Sequence, residues 1–204
     1  MRKFTRDDYV SMPWKNGGGH TLQLAIAPED ADLSNFEWRI SSADVDSPGP
    51  FSLFAGFDRS LAVLEGNGLM LELDSLHATI LTPDNKPLAF RGEQQVHAAL
   101  CDGPIRDLNV ITRRACWTHT LEKLQFSGSL QCDMQADLVF IFNARGDAVQ
   151  CRTLAGREAD IGQGESVLID AGDASDGGHI ALSAMAAATL YIARLMQKRH
   201  ADNN

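Results

Sequence analysis

The sequence is short of positive charge, and this shortage excludes one large class of partners. It contains 18 Lys and Arg residues against 27 Asp and Glu residues, so the formal net charge is −9 at pH 7. Nonspecific binding of nucleic acid needs clustered basic side chains that displace counterions from phosphates. We therefore expect no nucleic-acid partner. Any anion that this acidic protein binds must enter a local pocket that has its own Arg or Lys.

The sequence also lacks an apolar run long enough to cross a membrane. Its most apolar stretch, 180–193, includes Ser183 and Thr189 and falls short of the ~20 apolar residues that a spanning helix needs. Near the N-terminus, Asp7 and Asp8 stand where the apolar core of an export signal would begin. We expect a cytoplasmic protein with no membrane partner, and we interpret 180–193 as two core strands.

Cysteine is scarce, and no two cysteines form a CxxC motif. The four cysteines lie far apart in the sequence, at Cys101, Cys116, Cys132 and Cys151. This spacing is typical of reduced, often buried thiols in a cytoplasmic protein, and it does not indicate a disulfide framework.

Turn signals divide the chain into many short segments. Gly, Pro, Asn and Asp cluster at positions such as 65–68 and 171–173, between apolar or alternating runs such as 61–64. Many short strands at this spacing are typical of a β-sandwich or barrel. Helical periodicity is weak, although segments 6–12 and 195–200 could each form one or two helical turns. The pattern therefore predicts an all-β fold.

A faint internal repeat indicates that the fold is duplicated. Segment 61–73, two strands around a glycine turn, has a counterpart in 138–151, and segment 90–100 has one in 161–170. Each half then closes with further strands. Two related units of this size predict a duplicated β-barrel. We place the two barrels at residues 1–115 and 116–204.

Several motifs resemble those of one protein family. They are Pro13-Trp14-Lys15-Asn16-Gly17-Gly18-Gly19 with Thr21, Trp38-Arg39-Ile40-Ser41, Gly49-Pro50-Phe51-Ser52, and Asp107-Leu108-Asn109-Val110 leading to Arg113. Together they are similar to the HutD/Ves family, most specifically in the Trp-Lys-Asn-Gly-Gly-Gly string. The similarity covers nearly the full length, and it is stronger before Arg113 than after it.

The resemblance implies a bicupin, in which two double-stranded β-helix (cupin) barrels follow each other in the chain. It also implies a protein that is often a homodimer and has no established enzyme activity. Some family members are associated with histidine utilisation, where a role in sensing or limiting pathway intermediates has been proposed, and others are named for stress responses. We expect the first barrel to hold the ligand pocket and the second to be chiefly structural.

The histidines do not follow the spacing of a metal-binding cupin. Many cupins hold a metal on two His of an HxH pair, a Glu and a distant His, which must converge on one point. No two of the six histidines are separated by one residue, and the turn where such a pair would begin reads Glu65-Gly66-Asn67-Gly68. We expect no metal and no other cofactor. Glu93 with His97 is the one pair that needs a check in three dimensions.

Alternation along two predicted strands places polar side chains on shared faces. Arg39 and Ser41 are two residues apart, as are Asp107 and Asn109, with Arg113 further along the same face. A barrel interior with such side chains could hold a carboxylate by a bidentate arginine contact. Arg59, at the start of another strand, is the leading residue for that contact. In the alternative interpretation, Asp58–Arg59 and Asp107–Arg113 are structural ion pairs that close the ends of the barrel.

The segment from Trp14 to Thr21 is the sharpest local feature of the sequence. Its three glycines permit positive φ angles and close backbone approach, so successive N–H groups could bind an anion beside Lys15 and Asn16. It is not a phosphate-binding P-loop, because no Gly-Lys-Ser/Thr and no predicted helix follow. The alternative is a demanding turn in which Trp14 packs over one end of the barrel.

We hypothesise that the protein binds a small anionic metabolite that carries a carboxylate. An acidic intermediate of histidine breakdown, such as formyl- or formiminoglutamate, is the first ligand to consider, and binding without turnover would regulate or buffer it. The ligand-binding residues would be Arg59, Arg39, Lys15, Asn16, Ser41, Asn109, Arg113 and Trp14. One alternative is a metal-independent isomerase or hydrolase with His20, Asp107 or His97 as acid or base. Another is a dimeric interaction module.

Overall fold

The computed structural model describes residues 1–14, 19–74, 77–173 and 178–199, and β-strands make up most of their regular structure. In chain order the strands are β1 (Arg2–Phe4), β2 (Val10–Pro13), β3 (Gly19–Ala27), β4 (Trp38–Val45), β5 (Gly49–Pro50), β6 (Phe57–Glu65), β7 (Leu69–Leu73), β8 (His77–Leu81), β9 (Leu88–Arg91), β10 (Val96–Leu100), β11 (Ile105–Arg113), β12 (Trp117–Asp133), β13 (Leu138–Gly146), β14 (Val149–Thr153), β15 (Glu158–Ile161), β16 (Ser166–Asp170) and β17 (His179–Gln197). Within the described ranges, the only helices are two single 3-10 turns, Arg6–Asp8 and Ala171–Asp173. The all-β class is therefore confirmed. No helix of these residues has the length and apolar character to cross a membrane.

The chain folds into two compact units. The 9–118 unit comprises Tyr9–Thr118 together with the segment that begins at Lys198. The 119–197 unit comprises His119–Gln197 together with Met1–Asp8, since β1 pairs with β16 in an antiparallel ladder. The division into tandem cupin domains at residue 115 stays a prediction.

The 9–118 unit consists of two sheets whose inner faces share one core. A six-stranded sheet has the order β2-β3-β4-β11-β6-β9, and a four-stranded sheet has the order β5-β10-β7-β8. Alternation turns every second side chain of a strand inward, where a buried Leu or Val contributes about 1.5–3 kcal/mol. The core residues shared by the sheets include Ala43, Val45, Leu61, Val63, Leu69, Leu71, Leu81, Val96, Ala98 and Ile105. The result is a nearly closed β-barrel.

The 119–197 unit has an apolar interior. Its seven-stranded sheet has the order β1-β16-β13-β17-β14-β15, and β12 pairs with β17. The buried cluster contains aliphatic side chains together with Met134, Cys132 and Cys151. All four cysteines of the chain are free, as their spacing predicts. Burial raises the pKa of the Cys151 thiol to about 12, so this thiol stays protonated and unreactive in the folded protein.

The prediction of two strands over 180–193 is wrong, because this stretch belongs to the single 19-residue strand β17. β17 pairs with β14 over residues 180–184 and with β13 over residues 188–195. Backbone hydrogen bonding therefore passes from one partner to the next without a chain reversal. The same ladder includes Leu195, and the strand continues to Gln197, so no helical turn forms there.

Candidate functional site

Three adjacent strands bring most of the predicted polar residues together inside the barrel of the 9–118 unit. β11 lies between β4 and β6, and its register places Ile111 opposite both Arg39 and Arg59. The two arginines thus share a row across the sheet, two strand spacings or roughly 10 Å apart at their Cα atoms. Asn109 and Ser41 are opposite each other, two residues along their strands from that row and on the same face of the sheet. All four of these polar residues are buried.

Arg59 is held by neutral partners only. It donates from Nη2 to Asn109 Oδ1 (2.9 Å) and from Nη1 to the carbonyl oxygen of Ser52 (3.1 Å). Its Nε is buried and has no hydrogen-bond partner. Only 6% of the residue is exposed. A buried, charged donor without an acceptor is energetically costly.

Aromatic rings enclose the Arg59 guanidinium. The rings of Phe90, Phe51 and Phe54 lie 5.1, 5.2 and 5.6 Å from its central carbon. Such cation–π contacts favour the charged form and fix the orientation of the planar group. Burial is the main influence on the Arg59 pKa and lowers it to about 10, opposed by the charge of Asp107 and reinforced by that of Arg39. Arg59 therefore remains a cation at neutral pH.

Arg39 provides a second buried cation. Its Nε donates to Gln23 Oε1 at 3.0 Å, which is its one hydrogen bond to a described residue. Burial lowers the pKa of Arg39 from its ordinary value. The hydroxyl of Ser41, on the same face of β4, has no hydrogen-bond partner among the residues that the structure describes. The row of arginines thus keeps polar hydrogens available to a ligand.

Among the residues that the structure describes, Asp107 is the acid in contact with this group. Its Oδ1 accepts hydrogen bonds from the Ala43 backbone N–H (3.0 Å) and from Asn109 Nδ2 (2.9 Å), which links it through Asn109 to Arg59. Desolvation of the fully buried carboxyl raises its pKa to about 7, against the lowering effects of the Ala43 N–H, Arg59 and Asn109. At neutral pH the carboxyl is therefore divided between its two protonation states.

The charges of the site do not balance. Arg39 and Arg59 form no ion pair with any described acid, and Asp107 carries on average half a negative charge at pH 7. Buried charges are normally paired, because an unpaired ion in a low-dielectric interior is unfavourable. The interior therefore has an excess of positive charge, although the whole protein has a net charge of −9. This electrostatic environment favours a bound anion.

The predicted glycine-rich segment is described only at its ends. Lys15 and Asn16 lie outside the described residues. Trp14 is half-buried against the barrel core, and its indole N–H donates to Thr21 Oγ1 at 2.8 Å. Gly19 is required by close packing, since a Cβ there would collide with the backbone carbonyl of Asp44. The described part of the segment therefore fits a turn in which Trp14 packs at the barrel end.

The alternative interpretation of Asp58–Arg59 as an ion pair is wrong. Asp58 Oδ1 accepts instead from Arg114 Nε at 2.8 Å, and Arg114 also donates to both carboxylate oxygens of Glu93. Adjacent residues of a strand point to opposite faces, so Asp58 cannot follow Arg59 into the barrel. Because Asp58 is bound by Arg114, it does not neutralise the charge of Arg59.

The alternative interpretation of Asp107–Arg113 as an ion pair is also wrong. Arg113 donates from Nε (3.2 Å) and Nη2 (2.9 Å) to the carbonyl oxygen of Phe36, and its guanidinium lies over the ring of Phe57 at 4.8 Å. A backbone carbonyl can accept these bonds without the desolvation that an acid would undergo. Arg113 thus ties the β11 end to the chain before β4, and its role as a ligand residue stays a prediction.

The described side chains do not fit a cupin-type metal site. The inward positions that follow the Glu65–Gly68 turn are occupied by Leu69 and Leu71, which offer no donor atom. The predicted pair also fails as a ligand set, because Glu93 is bound by Arg114 and His97 lies on the exposed side of β10. No three His, Cys, Asp or Glu side chains of the described residues converge in a way that could hold a metal ion.

Four contributors to the site escape the sequence-based prediction. They are Gln23, which orients Arg39, and the three rings around Arg59, from Phe51, Phe54 and Phe90. Gln23 has a detectable signal, because it is a polar residue in the apolar alternation of β3. The phenylalanines carry none, since an apolar residue near a strand is expected in the core whether or not it contacts a cation.

Comparison with known proteins shows which family this chain is similar to. The HutD family profile matches residues 6–192. A Pseudomonas putida protein described as an uncharacterized 21.2 kDa protein in the hutC 3′ region is 38% identical over 151 residues, which are 74% of this chain and 76% of that protein. Protein Ves of Citrobacter koseri is 37% identical over 111 residues, 52% of this chain and 56% of Ves.

Solved structures agree in fold. A conserved protein of unknown function from Pseudomonas aeruginosa PAO1 superimposes with a TM-score of 0.88 at 32% identity, over 96% of this chain and 98% of that one. HutD from Pseudomonas fluorescens SBW25, solved in a formate condition, superimposes with a TM-score of 0.80 at 32% identity, over 97% of this chain and 99% of that one. A cupin 2 conserved barrel domain protein from Leptotrichia buccalis superimposes with a TM-score of 0.54 at 11% identity, over 87% of this chain and 88% of that one. This similarity supports a cupin-like fold alone. The chain therefore belongs to the HutD/Ves family.

Proposed function

We propose that the 9–118 unit binds a small carboxylate metabolite inside its barrel, with Arg59 as the anchoring residue. The observation that carries the proposal is the buried Arg59 guanidinium, whose Nε has no partner and which forms no ion pair with any acid of the described chain. A carboxylate accepts two parallel hydrogen bonds from one edge of a guanidinium, and these bonds are stronger than those to neutral acceptors.

The neighbours of Arg59 supply the remaining recognition. Arg39 adds a second charge, and the Ser41 hydroxyl and the Asn109 amide lie in the adjoining row of the sheet. We include Lys15, Asn16, Trp14 and Arg113 as contributors on the basis of the sequence motifs. The apolar core of the 119–197 unit supports a structural role for that unit.

The relatives support a ligand from amino-acid degradation. One relative comes from the hutC 3′ region, and HutD of Pseudomonas fluorescens, whose structure was solved in a formate condition, shares the fold. We propose an acidic intermediate of histidine breakdown, such as formyl- or formiminoglutamate, which this protein would regulate or buffer by binding. We further propose that the two units are tandem cupin barrels and that the protein acts as a cytoplasmic homodimer.

A thermal-shift screen tests the binding proposal. A ligand specific for the folded state raises the melting temperature, by an amount that grows with its concentration over its Kd. We expect formate, simple dicarboxylates or formylglutamate to raise the melting temperature of the wild type. The variant Arg59→Met removes the charge and keeps an apolar side chain among the three phenylalanines, so it should fold and show no shift.

The control for this screen is Arg152→Met. Arg152 is half-exposed and paired with Glu158 at 2.7 Å in the other unit, so its loss should leave the acid-induced shift unchanged. If no carboxylate shifts the wild type, or if Arg59→Met responds as the wild type does, the proposal fails.

A second candidate function is a metal-independent acid–base reaction on the same ligand. Asp107 favours it, because a carboxyl with a pKa of about 7 can both give and take a proton at neutral pH. The test is product formation from an acid that the screen identifies, followed by NMR. A bound acid that remains unchanged, with Asp107→Asn binding it equally well, would exclude this function.

A further inference from the structure

The second oxygen of Asp107 is the feature of the barrel that the binding proposal leaves unused. Both hydrogen bonds that the carboxyl accepts arrive at Oδ1, from Ala43 N and Asn109 Nδ2, and Oδ2 accepts none from a described residue. The residue is 2% exposed. Oδ2 is therefore the atom on which a proton would reside.

The charges around this carboxyl come from a few groups. Arg59 on β6 lowers the Asp107 pKa, and Asp44 on the outer face of β4 raises it. Arg39 and Arg113 are further charged residues on the inner face of the six-stranded sheet. Arg106, next to Asp107, points outward to Asp44 and Glu65. The opposing four-stranded sheet contributes apolar side chains to the shared core: Leu69, Leu71, Val96 and Ala98. Solvent screening is weak in such an interior.

A bound anion would change the protonation equilibrium of the Asp107 carboxyl. A carboxylate at Arg59 Nε would lie one amide away from Asp107, since Asn109 bonds to both residues. It would neutralise the cation that favours ionised Asp107 and add a like charge nearby. Both effects favour the neutral carboxyl, because like charges in a shared buried site do not ionise together. A protonated Oδ2 could also donate a hydrogen bond toward the ligand.

We propose that the barrel binds its carboxylate ligand together with one proton, which Asp107 carries in the complex. Asp107 is in this role a specificity-determining residue that sets how many negative charges the site accepts at a given pH. The inference rests on the proposed function. The proton comes from solvent and ends on the Asp107 carboxyl, so binding adds no net charge when the ligand is a monocarboxylate.

The pH dependence of formate binding tests this inference. A group with a pKa of about 7 is about nine-tenths protonated at pH 6 and about one-tenth at pH 8. If only the protonated form binds, the Kd for formate should rise about tenfold between these pH values. In Asp107→Asn, Oδ1 can still accept from Ala43 and Asn109 while a neutral NH2 replaces Oδ2, so the Kd should change less than twofold.

A direct readout separates Asp107 from other titrating groups. The 13C resonance of the Asp107 carboxyl, assigned by its loss in Asp107→Asn, should titrate at a higher pH when formate is saturating. His20, which lies 3.1 Å from Asp44, is the control, and His20→Gln should retain the tenfold change. If His20→Gln abolishes the change, or if formate leaves the Asp107 titration unmoved, the inference is overturned.

The failures of the two proposals are distinguishable. If formate does not bind the wild type at any pH, the proposed function and this inference fail together. If formate binds at Arg59, as shown by loss of binding in Arg59→Met, but its Kd is the same at pH 6 and pH 8, only the proton-coupled mechanism is overturned.

Discussion

Asp107 predicts how the stability of the ligand-free protein depends on pH. Its folded pKa is raised to about 7, whereas the ordinary value for an aspartate is 3.8. The folded state therefore holds the proton more tightly than the unfolded state does. The stabilisation associated with neutral Asp107 is complete below about pH 4, is lost as the pH rises to about 7, and changes little above that.

The size of this effect follows from the same pKa. A rise from 3.8 to about 7 corresponds to about 4 kcal/mol over the whole range, at about 1.4 kcal/mol per pKa unit. About 3 kcal/mol of it falls between pH 5 and pH 8. For a protein with a stability of about 5–15 kcal/mol, this is a large fraction.

Urea denaturation of the wild type and of Asp107→Asn at pH 5 and pH 8 measures the effect. The variant keeps both acceptor bonds of Oδ1 and cannot ionise, so its free energy of unfolding should not show the Asp107 contribution. The wild type should lose about 3 kcal/mol more than the variant between the two pH values, and other titrating groups cancel in the comparison. Parallel pH dependence in the two proteins would refute the assignment of a raised pKa to Asp107.

Two further predictions concern glycine conformation in the 119–197 unit and the reactivity of two cysteine thiols. Gly146 has a φ of +103° and a Cβ there would collide with the carbonyl of Ala187, whereas Gly156 has a φ of +79° and open space around it. Gly146→Ala should therefore lower the free energy of unfolding by at least about 3 kcal/mol, and Gly156→Ala should lower it by about 1–2 kcal/mol. Equal losses of stability in urea denaturation would contradict this prediction. The exposed Cys101 thiol should react with a thiol reagent in the native protein, while Cys151, which is buried and has its pKa raised to about 12, should react only after unfolding. Equal labelling rates of the two cysteines, measured by mass spectrometry, would contradict the burial of Cys151.

The alternation of residue types carries much of the information about this fold. Turn residues at short intervals predict the all-β class, and the two-residue spacing of Arg39 and Ser41, and of Asp107 and Asn109, predicts a polar inner face. These are local properties, because successive side chains of any strand point to opposite sides. The same reasoning fails for 180–193, since a strand can change partners without a turn and leaves no mark in the sequence.

The pairing of charges, by contrast, depends on long-range contacts. Asp58 is adjacent to Arg59 in sequence, yet it bonds to Arg114, 56 residues away. Arg113 bonds to the carbonyl of Phe36 rather than to an acid. Sequence proximity therefore predicted the wrong partners, because strand alternation separates neighbours and sheet register brings distant residues together.

The sequence by itself determined the class of the fold, the family and the residues with chemistry suited to an anion: Arg39, Ser41, Arg59 and Asn109. The tertiary structure decided that β11 lies between β4 and β6, which puts both arginines in one row and connects Arg59 to Asp107 through Asn109. It also decided the charge state of Asp107. A pKa depends on burial and on the charges nearby, and both are fixed only when strands distant in sequence pack against each other.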